Sequence, residues 1–536
     1  MKVGKTYILV KKFLINNNII PLSLCVLFAS ASQPMIVLSF AGMSSIFFEN
    51  IETWKIILYI IVLFVGLFMA WIADHEKTRL TYQGELELRR YCLSSVIGKE
   101  IGAFIKQDSG SYYNIIGKNN QIIQTQVFVP FINILSDIVS LMIMSVILLD
   151  CSWICLAVIV LFLVPLVINN IVMPKKILGF QAKTMNSLVE MVINLKDILS
   201  GFVSLKFQEG ERYAEEKLNE YFTDCELLEE KTAQLRNISA LIANFSVTLS
   251  QFSGLFIAFY MLKLQYITIP EFVLVFQIGM IASRPVIDLI NSAISIKSAK
   301  PYIDEIGDMA KFEEPYEGFK LDRIDSIKCQ DVTFSYNGER DVIKNFSHTF
   351  SSGKKYLIIG ESGSGKTTFI NLLLGILDPT SGGIEYNGIN GRDIKNIEKY
   401  HHLGVIPQDV YIFNDTIRRN IDLKGEHSDE EIMNIIDKVM LSQLMKANSY
   451  SLDTHISNET IRISGGEKAR LAIGRMEILN KSVLIFDEVL SSLDADNSRR
   501  IEELILSENK CIVIHIAHKS TPEFVDRYDE VIEIGK

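Results

Sequence analysis

Proline and cysteine are scarce in this 536-residue chain, at 12 and 7, and the 31 glycines are spread thinly. Collagen-like and low-complexity classes are thereby excluded. The cysteines stand at 25, 92, 151, 155, 225, 329 and 511 and form no disulfide framework. Cys151 and Cys155 make one C-x-x-x-C with no second pair or histidine nearby, so four converging zinc ligands are missing. They read as small apolar side chains in a reduced compartment. Charge is also limited: 22% of residues are charged against 49% hydrophobic, which excludes a disordered chain. The net charge is -10 and no stripe of Lys and Arg occurs, so nucleic acid is not the expected partner. Finally, no long apolar run occurs after about residue 293.

Before that point the apolar runs are long. They cover 19–47, 56–73, 127–149, 153–172, 238–262 and 270–293. Each approaches or exceeds the roughly 20 apolar residues that cross a bilayer. The run 56–73 carries no charge and no polar face. The lipid bilayer is therefore an expected partner. The first run is longer than the apolar core of a removable signal peptide and lacks a clear cleavage pattern. Ahead of it, 1–18 mixes Lys2, Lys5, Lys11 and Lys12 with Tyr7, Ile8, Leu9, Phe13 and Leu14. That pattern predicts an amphipathic segment lying on the inner membrane surface.

Basic residues set the orientation. Segments 74–126 and 173–237 carry Lys77, Arg79, Arg89, Arg90, Lys99, Lys175, Lys176 and Lys183, which places them and both termini in the cytoplasm. They hold almost no proline and keep helical spacing, so the second to fifth spans are expected to continue as long cytoplasmic helices. Two interruptions, 108–118 and 188–200, are expected to be their tips. The transmembrane domain is thus 19–300. A connector follows over 301–325, and 326–536 has the composition of an α/β domain with a largely parallel sheet.

Residues 356–368 read Y-L-I-I-G-E-S-G-S-G-K-T-T and contain G-x-x-x-x-G-K-[ST], directly after an apolar strand and before a helix. Gly360, Gly363 and Gly365 let the backbone wrap a phosphate. The amides of Glu361, Ser362, Ser364 and Thr368 and the helix N-terminus face the anion. Lys366 neutralises the β- and γ-phosphates, and the Thr367 hydroxyl ligates Mg²⁺. Residues 483–488, V-L-I-F-D-E, deliver Asp487 to a strand end to support Mg²⁺. Glu488 beside it is placed to orient or deprotonate water. The fold class read from these features is a multi-domain membrane protein, an all-α six-helix transmembrane domain followed by an α/β P-loop NTPase domain.

Between the two sites, I-S-G-G-E at 463–467 resembles the signature of ATP-binding cassette (ABC) ATPases, and further motifs match that family in order. Tyr336 in V-T-F-S-Y resembles the aromatic that stacks on adenine. Gln408 in V-I-P-Q-D resembles the glutamine that senses Mg²⁺ and the membrane domain. Asp494 in S-S-L-D resembles the D-loop aspartate, and His518 in I-A-H-K the histidine at the γ-phosphate. The resemblance implies ATP and Mg²⁺ as cofactors, with Glu488, His518 and Gln408 in catalysis. It also implies that Ser464, Gly465, Gly466 and Glu467 contact ATP across a dimer. Here the signature ends in Glu467 rather than glutamine, and an acidic G-E-x-G element upstream is replaced by S-N-E-T at 457–460. His515, His401 and His402 lie outside the pattern and read as ordinary histidines.

The membrane half resembles exporters of the same family: D-S-G-S-Y-Y-N-I-I near 108–116 resembles the sequence of that family's first cytoplasmic tip, and D-I-L-S-G-F-V-S-L-K-F at 197–207 the sequence that follows its second. Each tip is expected to dock on a nucleotide domain near Gln408. The resemblance implies an ATP-driven exporter of an amphipathic peptide or drug-like molecule working by alternating access. It leaves open a lipid or glycolipid flippase and, in another class, a non-transporting ATP-gated sensor. One chain carries one phosphate loop and one signature, so a second copy is implied; a heterodimer stays open. Polar residues at membrane depth, Gln33, Asn133, Asp137, Asn244, Gln251, Gln277 and Arg284, are cargo candidates. Arg284, Asp137 and Gln277 are the foremost, with an Arg284–Asp288 ion pair as the plainer alternative. A bacterial inner membrane is the expected location.

Overall fold

In the computed structural model, residues 6, 9–16, 18–44, 53–105, 109–309, 319–336, 338, 340–361, 363–457, 463–488, 495–507, 510–517 and 525–534 are described. The chain divides into two compact units.

The first unit is helical. Among the described residues six helices are long and apolar enough to cross a membrane: Ile19–Ser44, Thr53–Ile97, Tyr112–Cys151, Trp153–Ser200, Glu211–Lys263 and Ile269–Ser298. The second to fifth are 45, 40, 48 and 53 residues long, so each extends well past the roughly 30 Å that 20 helical residues span. Local chemistry sets their ends. Ser152 is extended (φ -170°) and separates the third helix from the fourth. Thr268 and Glu271 cap each other at the start of the sixth. Where the fifth and sixth helices cross, Gly254 faces Gly279; a Cβ on Gly254 would lie 3.6 Å from the Gly279 Cα. Small residues allow this close approach.

Two expectations in this unit change, and a third gains a contact. The segment expected to lie on the membrane surface buries Leu9, Val10, Phe13 and Leu14 against Leu80, Leu88 and Phe128, while Lys12 Nζ sits 3.7 Å from the Tyr91 ring. Its apolar face finds protein. Residues 109–118, expected as a tip, open the third long helix, because Tyr112, Ile115, Asn119 and Ile123 recur at helical spacing and are buried. The second tip lies later than 188–200: the fourth helix runs to Ser200, breaks at Gly201, and a short helix Phe202–Phe207 precedes the fifth. The start of the expected connector is also ordered, as helix Lys300–Met309, whose Ile303 and Ile306 are buried in the first unit.

The second unit comprises Gly98–Gln107 and Phe312–Lys536. Its central sheet is parallel, ordered β11-β3-β10-β9-β6: β3 Lys355–Ile359, β6 Leu403–Ile406, β9 Val483–Asp487, β10 Ile512–Ala517 and β11 Glu530–Glu533. These strands are nearly continuous apolar runs because both faces are covered. One face packs with Phe369, Ile370 and Leu373 of helix Lys366–Leu373 and with an antiparallel sheet ordered β2-β1-β4-β5: β1 Ser326–Phe334, β2 Ile343–Ser351, β4 Ser381–Tyr386 and β5 Ile389–Asn390. The other face meets helix Gly465–Leu479 through Ala469, Leu471 and Ile473, with Ile501 and Ile505. A two-stranded ribbon, β7 Asp415–Thr416 with β8 His455–Ile456, lies apart from both sheets.

Within this unit, the short helix Ile101–Ile105 docks on the nucleotide-domain residues. A Cβ on Gly102 would come 2.6 Å from the Ile376 carbonyl oxygen. Asn396 Nδ2 donates to Glu100 Oε2 at 3.0 Å, and the buried Lys399 donates to Asn396 Oδ1 at 2.8 Å. The docked segment thus precedes the expected 108–118, and Glu100 binds Asn396, which Lys399 holds in turn.

Candidate functional site

Parallel strands place their carboxyl ends together, and ligands bind there. In this sheet β3 ends directly before Gly360, β9 ends at Asp487 directly before Glu488, and β6 ends two residues before Gln408. β3 and β9 flank β10, and β6 flanks β9. Three motifs that together span residues 360 to 488 of the sequence therefore meet along one edge.

The phosphate loop has the shape its glycines predict. Gly363 and Gly365 have φ of 80° and 98°. A Cβ on Gly360 would stand 2.5 Å from the Ile534 carbonyl oxygen, and one on Gly365 2.8 Å from Val342 Cγ1. Lys366 is buried, and its ammonium donates to the carbonyls of Gly360 (2.8 Å) and Glu361 (2.9 Å). The Ser364 hydroxyl is buried without a partner among the described residues. An orphaned donor, a cation folded onto its own loop and two glycines at positive φ beside a helix N-terminus together fit a phosphate group. Thr367 and Thr368 open helix Lys366–Leu373. Ser362 lies outside the described residues.

Tyr336, two residues past β1, is 61% exposed. Its ring stands edge-on to Phe334 at 4.9 Å, and its hydroxyl is 3.1 Å from Thr368 Oγ1. That contact ties the exposed aromatic to the start of the phosphate-loop helix. Gln408 Nε2 donates to Glu488 Oε2 at 3.0 Å, joining two residues 80 positions apart. Glu488 has φ 53°, a left-handed backbone that costs a residue with a Cβ free energy and is common at functional sites. Its amide donates to the Ile516 carbonyl, which holds it beside the end of β10. Asp487 pairs with Ile516 in the sheet. Thr367, Asp487 and Gln408 offer the oxygen donors that Mg²⁺ prefers. Asp494 and His518 lie outside the described residues.

Ser464 caps helix Gly465–Leu479, with Glu467 completing the box: Ser464 N donates to Glu467 Oε2 at 2.8 Å and Glu467 N to Ser464 Oγ at 3.4 Å. A clamp that sequence reasoning missed ties this helix to the stretch after Gln408. Arg475 donates to the Asn420 carbonyl (2.5 Å), the Asn420 side chain (2.7 Å) and the Tyr411 carbonyl (2.7 Å), with its guanidinium 5.4 Å from the Phe413 ring. Asn420 is fully buried and closes the same loop on the Phe413 carbonyl and amide. An arginine in the last turns of helix Gly465–Leu479 and an asparagine in the short helix Ile417–Ile421 carry no signal in sequence; only their pairing does.

His515 is a core histidine, as read, but not an isolated one. Its Nδ1 is 2.5 Å from Tyr528 Oη, which also reaches Glu502 at 3.4 Å. Burial pushes the His515 pKa down to about 4.

The cargo candidates of the first unit are less gathered. Asp137 has a buried oxygen with no partner. Arg284 is 3.9 Å from Asp288, and its side chain is 87% exposed. Gln277 is half-buried. A cavity of about 670 Å³ lies elsewhere, between the fourth and fifth long helices, lined by Gln181, Thr184, Glu226, Glu229, Glu230 and Arg236 among others.

The sequence profile described as the ABC transporter transmembrane region matches residues 19–285, and that described as ABC transporter matches 343–491. The iron-sulfur clusters transporter ATM1, mitochondrial, of Candida glabrata is 37% identical over 210 residues, which is 38% of this chain and 29% of that protein. The ATP-dependent lipid A-core flippase of Mannheimia succiniciproducens is 24% identical over 89% of this chain and 83% of its own length. The fold matches a bacterial Atm1-family ABC exporter with ATP bound, at a TM-score of 0.82 and 19% identity, over 97% of this chain and 94% of that one. With a six-helix transmembrane region and the ABC ATPase domain in one polypeptide, the chain is a multi-pass membrane protein that belongs to the ABC transporter family, in its exporter-type, half-transporter arrangement.

Proposed function

We propose that two copies of this chain form an ATP-driven exporter that moves an amphipathic peptide or drug-like molecule out of the cytoplasm by alternating access. The meeting of the phosphate loop, Gln408 and Glu488 along one edge of a parallel sheet carries this reading. Lys366, Ser364 and Thr368 bind the phosphates, and Tyr336 presents a ring to adenine. Thr367, Asp487 and Gln408 would hold Mg²⁺, which neutralises phosphate charge when bound. Glu488 accepts the proton of the attacking water, and for this its hydrogen bond from Gln408 must open. His518 contacts the γ-phosphate, and Asp494 follows the catalytic strand. Ser464, Gly465, Gly466 and Glu467 of one copy cover ATP held by the other. ATP favours the closed dimer by binding it more tightly than the open one. Arg284, Asp137 and Gln277 face the cargo. The bacterial inner membrane is the proposed location.

The lipid A-core flippase relative, aligned over most of both chains, supports a second reading in which the cargo is a lipid. Both readings are tested by ATPase activity in lipid nanodiscs, wild type beside Glu488→Gln, with panels of peptides, drugs and lipids. The expected outcome is a wild-type rate that the substitution lowers at least about a hundredfold, and that one cargo class raises. A wild type without hydrolysis under every condition would overturn the homodimeric pump.

A further inference from the structure

The signature helix carries a charge at the place where it is expected to receive one. Helix Gly465–Leu479 begins at the exposed Ser464, and its first turn presents free backbone N–H groups with the positive end of the helix dipole. On the proposed function, on which this inference rests, the γ-phosphate held by the other copy arrives at this turn. The Glu467 carboxylate is already there: its Oε2 accepts from Ser464 N at 2.8 Å, and its own N–H is spent on Ser464 Oγ at 3.4 Å. Among the described residues no Lys, Arg or His makes an ion pair with Glu467. One negative charge without a cationic ion-pair partner among the described residues therefore sits within the first turn that must accept a polyanion.

We propose that Glu467 sets the nucleotide affinity of the closed dimer by electrostatic opposition, so that closure requires more ATP than the same signature would need with a neutral residue. The geometry separates charge from capping. Glutamine at 467 keeps both arms of the box, because its amide oxygen accepts from Ser464 N as the carboxylate does, but it removes the charge. Alanine removes the cap and the charge together. Two like charges a few ångströms apart at a partly exposed site repel enough to change an equilibrium several-fold. The effect is carried through space, so salt screens it.

The experiment measures ATPase rate against ATP concentration for the full chain in nanodiscs, as wild type, Glu467→Gln and Glu467→Ala, with mass photometry on the same samples to establish the dimer. Glu467→Gln is expected to lower the half-saturating ATP concentration about three- to tenfold without raising kcat. The ratio between wild type and Glu467→Gln is expected to shrink as KCl rises from about 0.05 to about 0.5 M, where the screening length falls to a few ångströms. Glu467→Ala is expected to lose part of the gain, because the helix start is left uncapped. An active, dimeric wild type whose half-saturation is unchanged or weakened by Glu467→Gln overturns this inference alone. A gain that does not vary with salt overturns the electrostatic cause. A monomeric, inactive wild type overturns the paired-site reading, and this inference with it.

Discussion

The two units put the same kinds of side chain at opposite addresses. In the first, Phe64, Trp71 and Phe256 point outward, at 65%, 62% and 72% exposure. In the second, Phe350, Tyr356 and Phe369 are fully buried. Both arrangements satisfy hydrophobicity, because the bilayer is as apolar as a protein core. Helices can afford this outward display, since each satisfies its own backbone hydrogen bonds. Strands cannot, and so the sheets of the second unit lie between layers of side chains. Hydropathy alone therefore says that a residue avoids water, and the element it sits on says where it goes.

The comparison breaks most sharply at an aromatic in the core. Phe369 packs edge-on to Phe346 at 4.7 Å and against Phe350. Phe369→Ala is expected to destabilise the nucleotide-binding unit by about 3–5 kcal/mol. Thermal unfolding of the full chain in nanodiscs would reveal it as an early transition of that unit. An outward aromatic should behave differently. Phe64→Lys places a charge on an outward position of an apolar span and is expected to cost about 2.5–3.5 kcal/mol of insertion. It should reduce the membrane-inserted fraction during expression while leaving nucleotide affinity of the inserted protein unchanged.

A smaller effect separates the units by pH. The folded His515 titrates near 4, below the 6.5 of an exposed histidine. The unfolded chain therefore binds more protons than the folded one between those values. Stability that is fully present above about 6.5 is lost progressively as pH falls towards 4, and no further loss from this residue follows below that. His515→Val is expected to flatten the dependence of the second unit in this window, read by thermal shift at several pH values. The membrane helices should show no matching change.

Much of the candidate site was legible in sequence because its chemistry is local. The phosphate loop needs glycines at fixed offsets between a strand and a helix, and residues 356–368 carry all three elements side by side. Ser464 and Glu467 form their box within four residues. The pairing of Gln408 with Glu488 and the clamp of Arg475 on Asn420 were not legible, since they join positions 80 and 55 residues apart. Neither residue type nor spacing encodes such a meeting. The tips were misplaced for a related reason. Both 108–118 and 188–200 look polar enough to turn, yet buried contacts at helical spacing kept 109–118 inside a helix, and the chain turned where Gly98 and Gly201 weaken it.

The sequence by itself determined the six apolar spans, the phosphate loop, the acidic strand end and the signature cap, because each depends on neighbours a few residues away or on simple length against a bilayer. Only the tertiary structure decided that the N-terminal apolar face meets protein, that residues 98–107 join the second unit through Glu100 and Asn396, and that Gln408 closes on Glu488. Those outcomes turn on which distant surfaces bury one another, and that competition is settled only when the whole chain has packed.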